Sequence, residues 1–65
     1  MEEWVAVAVG KMHINKIRNI DLAKHMGVTV QYVSEILNSK KSPKGIGDRV
    51  LKAIDEIIEM TKRQQ

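Results

Sequence analysis

Gly27 and Thr29 stand two positions apart, and together they constrain the fold more than any other pair in the chain. Ahead of them Leu22, Ala23 and Met26 recur at the spacing of one helical face, and behind them Val33, Ile36 and Leu37 do the same. Gly27 ends the first run, because a residue without a Cβ enters the left-handed conformation at little cost. Thr29 opens the second by offering its hydroxyl to an amide two or three residues on. Two short helices must therefore fold against each other across Gly27-Val28-Thr29, crossing where Ala23 is small enough to allow close approach. From about Asn19 to Asn38 the chain has the spacing of a helix-turn-helix.

The flanks also read as helix and loop. Trp4, Val5, Ala8, Val9 and Met12 share one face of an opening helix, although Val5, Val7 and Val9 also alternate with Ala6 and Ala8 as a strand would. Helix is preferred because no second strand exists to pair with it. Gly10 weakens that helix by about 1 kcal/mol relative to Ala. His13 to Arg18 reads as a link, with Arg18 or Asn19 as the next N-cap and Asp21 favourably placed in the first turn. Ser39-Lys40-Lys41-Ser42-Pro43-Lys44-Gly45 is polar, basic and rich in turn formers, so it reads as a loop. A last helix begins between Ile46 and Asp48 and runs to about residue 62. Val50, Leu51, Ile54, Ile57 and Ile58 form its apolar stripe, with Asp48, Lys52, Asp55, Glu56 and Glu59 mostly turned away. Thr61 to Gln65 reads as a fraying end.

Residues 1–65 are thus expected to form one compact all-α domain of four to five helices, with one modest core. There is no cysteine, hence no disulfide framework and no thiolate metal site, and a reducing, cytoplasmic setting is expected. Phe is absent and Trp4 and Tyr32 are the only aromatics, which leaves the core to aliphatic residues. The apolar run Trp4 to Val9 falls far short of the roughly 20 residues of a membrane span, and acids rather than lysines precede it, so neither anchor nor signal peptide is expected. His13 and His25 lie twelve residues apart without converging carboxylates, so no metal site is read. Ser34 and Ser42 lie in no nucleophile elbow, and so small a helical body leaves little room for a pocket; no catalytic residue and no cofactor is expected.

Charge is uneven along the chain. Residues 1–10 carry two acids and no base, Lys11 to Lys44 carry seven bases against two acids, a net of +5, and residues 45–65 balance. A basic middle between neutral or acidic flanks suits a localised polyanion contact.

The run Asn19-Ile20-Asp21-Leu22-Ala23-Lys24-His25-Met26-Gly27-Val28-Thr29-Val30-Gln31-Tyr32-Val33-Ser34-Glu35-Ile36-Leu37-Asn38 resembles the Xre-type regulators, the family that includes the Cro and repressor proteins of bacteriophages. Leu22, Ala23, Gly27, Val28, Val33, Ser34 and Ile36 fall in register together. Trp4, Gly10-Lys11-Met12-His13 and Pro43-Lys44-Gly45 extend a broader similarity to short prophage-type regulators. Two positions depart from the common pattern: Arg18 stands where Ser or Thr usually caps, and Asn19 where Gln often builds a phosphate clamp. The resemblance implies a lambda-repressor-like DNA-binding domain, a double-stranded operator as partner, and repression by promoter occlusion. It also places Thr29, Val30, Gln31, Ser34 and Glu35 on the groove-facing side of a recognition helix.

Helical geometry agrees, since Gln31, Ser34, Glu35 and Asn38 follow i, i+3, i+4, i+7 opposite Val33 and Ile36. Gln31 suits the N6 and N7 edge of adenine, Glu35 the amino group of cytosine, and Val30 a thymine methyl. Lys40, Lys41 and Lys44 are expected to meet phosphates, assisted by Asn19, Tyr32 and Asn38. Self-association through Ile46 to Met60 is expected as well, because two-fold half-sites usually require a dimer. The competing reading is a protein-interaction module, antitoxin-like or adaptor, using that same apolar stripe. RNA binding ranks lower for want of an aromatic stacking platform, and a membrane-surface helix ranks lower because the best amphipathic segment is charge-balanced.

Overall fold

The structure is a computed structural model that describes residues 3–38 and 43–63. It is built from four helices: α1 (Glu3–Ile14), α2 (Asn19–Met26), α3 (Val30–Leu37) and α4 (Ile46–Arg63). The long α4 packs along α1 and α2, and α3 rests mainly on α2. Among the described residues there is no strand, and no helix that is long and apolar enough to cross a membrane.

Each boundary follows from local chemistry. Helix α1 ends in a Schellman motif: the Lys16 amide donates to the His13 carbonyl at 3.3 Å and the Ile17 amide to the Met12 carbonyl at 2.8 Å. The reversal puts Lys16 at φ 57°, a left-handed conformation normally left to glycine. Arg18 is the N-cap of α2 in extended conformation. Here the Asp21 carboxylate reaches back, accepting from the Arg18 amide at 3.0 Å and from its Nε at 3.3 Å. The amide bond first, then the guanidinium, holds the Asp21 carboxyl below its usual pKa. Gly27 closes α2 at φ 72°, and the Val28 amide donates to the Ala23 carbonyl at 3.0 Å. Thr29 caps α3 by accepting from the Tyr32 amide at 3.0 Å.

Leu22, Ile36, Ile54, Val5, Val33 and Val50 are fully buried, joined by Ala8, Met12, Ala23, Ile46 and Ala53, with no buried polar or charged residue among the described residues. Burial of each large aliphatic side chain contributes about 1.5–3 kcal/mol. The expected face of α1 is narrower than the sequence pattern indicated. Val9 is 45% exposed, because it falls outside the arc that Val5, Ala8 and Met12 press against α4. In α4 the buried row is Ile46, Val50, Ala53 and Ile54, while Leu51, Ile57 and Ile58 pack half-buried at its edges.

The α1–α4 contact has one tight spot. A Cβ added to Gly47 would stand 2.8 Å from Cγ of Trp4, so the indole lies directly over bare backbone in the first turn of α4. Two exposed contacts tie other helices to α4: the Lys11–Asp55 ion pair at 3.0 Å and a hydrogen bond between His25 Nε2 and the Glu56 carboxylate at 2.8 Å. Exposed pairs of this kind typically contribute less than about 1 kcal/mol each.

Candidate nucleic-acid interface

Val33 and Ile36 lock the inner side of α3 into the core. Its outer side carries exposed Gln31, beside exposed Thr29 and Val30 at the helix start. Val30 is 43% exposed, an apolar side chain that the core leaves outside. Ser34 and Glu35 are half-buried further along the helix.

Asn38 is exposed and closes the end of α3 on itself. Its Nδ2 donates to the Ser34 carbonyl at 2.7 Å and lies 3.2 Å from Ser34 Oγ. The four-residue polar face is therefore not uniform: Gln31 keeps its whole amide for an external partner, whereas Ser34 and Asn38 are coupled through their side chains. Asn38 retains its carbonyl oxygen, an acceptor, which does not suit direct contact with a phosphate.

Tyr32 is half-buried and lines a shallow hollow with Met26, Val28, Thr29, Ile46 and Arg49. Asn19 is exposed as the first residue of α2. Lys44 is exposed in the turn before α4, where the Ile46 amide donates to the Pro43 carbonyl at 3.1 Å. It lines a different hollow, beside Trp4, and the two hollows have Ile46 in common. Lys40 and Lys41 lie outside the described residues.

Arg49 is the residue that the sequence pattern did not single out. It is exposed, and it reaches the hollow that opens at the start of α3 beside Thr29 and Tyr32. The available signal was its position one turn after Ile46, near the positive end of a helix, where a cation gains nothing from its own helix. Among the described residues no three His, Cys, Asp or Glu side chains converge to hold a metal ion. Comparison with protein-family models, with characterised proteins and with solved structures returns no match.

Proposed function

We propose that this protein is a sequence-specific double-stranded DNA-binding regulator, with α2, Gly27-Val28-Thr29 and α3 as its helix-turn-helix and α3 as the recognition helix. The observation that carries the reading is the two-sidedness of α3: Val33 and Ile36 are anchored in the core while Thr29, Val30 and Gln31 face outward together. Gln31 pairs with an adenine edge, Val30 meets a thymine methyl, and Ser34 and Glu35 extend the reading surface. Asn19, Tyr32, Lys40, Lys41 and Lys44 position the backbone, and Arg49 joins them from α4, while Asn38 closes the end of α3 on Ser34. The regulator acts in the cytoplasm, as a dimer, and represses by occupying promoter DNA. This is what the resemblance to Xre-type regulators implies, and the terminal residues of α3 are chemically suited to it.

Selection of the protein against a random duplex pool at two salt concentrations tests the reading. Enrichment of a two-fold symmetric motif is the expected result. Weak, salt-sensitive retention without enrichment would overturn it and leave the protein-interaction module in its place.

A further inference from the structure

A serine hydroxyl can both donate and accept, so Ser34 on a reading face does not by itself tell a base acceptor from a base amino group. Within a helix such a hydroxyl commonly donates back to the carbonyl one turn earlier, which leaves only lone pairs for an outside partner. Ser34 is arranged differently. The Asn38 side chain must turn its amide nitrogen inward here, because that atom lies 2.7 Å from the Ser34 carbonyl oxygen, which can only accept. The same nitrogen stands 3.2 Å from Ser34 Oγ, so the hydroxyl accepts the second N–H. The main-chain amide of Asn38 donates to that same carbonyl at 3.0 Å, which holds the side chain within reach. A hydroxyl oxygen that accepts a hydrogen bond points its proton away from the donor, and the polarisation makes it a better donor itself. Among the described residues that proton has no acceptor.

We infer that Asn38 is a positioning residue that sets the Ser34 hydroxyl as a donor, so that Ser34 reads a base offering acceptors in the major groove, guanine first, and rejects cytosine, which offers an amino group. This rests on α3 being the recognition helix. Gln31 carries a donor and an acceptor side by side and matches adenine unaided; Ser34 gains a preference of its own only through Asn38.

Selection of the full chain and its variants on a random duplex pool, compared position by position, tests the inference. Ser34→Ala is expected to flatten preference about three- to tenfold at one position of the motif, which locates the base concerned. Asn38→Ala should flatten that position and no other, and should change nothing further when Ser34 is already alanine. Asn38→Asp exchanges donor for acceptor: the carboxylate takes the Ser34 proton, the lone pairs turn outward, and preference is expected to move from guanine toward cytosine or adenine. A helix cap without this role would weaken binding to every sequence alike. An enriched motif that Ser34→Ala leaves intact, or whose preferences survive both Asn38 variants, overturns the inference and leaves the reading of α3 standing. No enriched motif for the parent protein overturns both.

Discussion

At the scale of single residues, two side chains carry the bends that set the helices. Lys16 occupies a left-handed position that costs a side chain about 1–2 kcal/mol, and part of that cost is recovered by replacing it with glycine. Lys16→Gly is therefore expected to raise stability by up to about 1 kcal/mol in urea unfolding, at protein concentrations low enough to keep the chain monomeric. Asp21 works through its charge. Because its folded pKa lies below the usual value, the folded state binds fewer protons there, and the contribution is present above the ordinary carboxylate range and fades as pH falls through the folded pKa. Asp21→Asn should lower the melting temperature at neutral pH, and the gap to the parent should close in strong acid. A gap that persists unchanged at low pH would assign the effect to something other than the Arg18 contacts.

At the scale of elements, α3 has a reading end and a closing end. Gln31→Ala is expected to change base preference in duplex selection while leaving helicity intact, since Gln31 makes no contribution to the core; unchanged preference would remove it from the reading surface. Much of this element was legible in the sequence. The glycine stop, the threonine cap and the Val33–Ile36 spacing are local signals, and each sits where its chemistry requires. What could not be read was the engagement of Asn38 with Ser34 and the approach of Arg49. Periodicity reports which side of a helix a residue occupies, not how its side chain folds back or which distant turn comes to lie beside it. The same limit explains Val9: an apolar residue next to the buried arc matches the pattern equally well whether or not a partner helix reaches it.

At the scale of the whole molecule, affinity for DNA should depend on salt through the number of phosphates neutralised. With about three per subunit in a dimer, log affinity against log salt is expected to fall with a slope near −5, and Lys40→Ala, Lys41→Ala or Arg49→Ala, each removing one contact from both subunits, should each flatten it by about two. A slope that no variant changes would mean that phosphate contact lies elsewhere. The packing of α1 on α4 makes a separate prediction. Gly47→Ala drives a methyl group into the Trp4 ring and is expected to cost about 1–3 kcal/mol by overpacking, measured as a lowered urea midpoint by circular dichroism.

Trp4 is the only tryptophan in the chain, and its ring covers Gly47 at the junction of the first and last helices. Its fluorescence is therefore an unlabelled optical gauge of whether those two helices are docked. Emission from this one indole reports the loosening of that junction, with no second tryptophan to blur the signal.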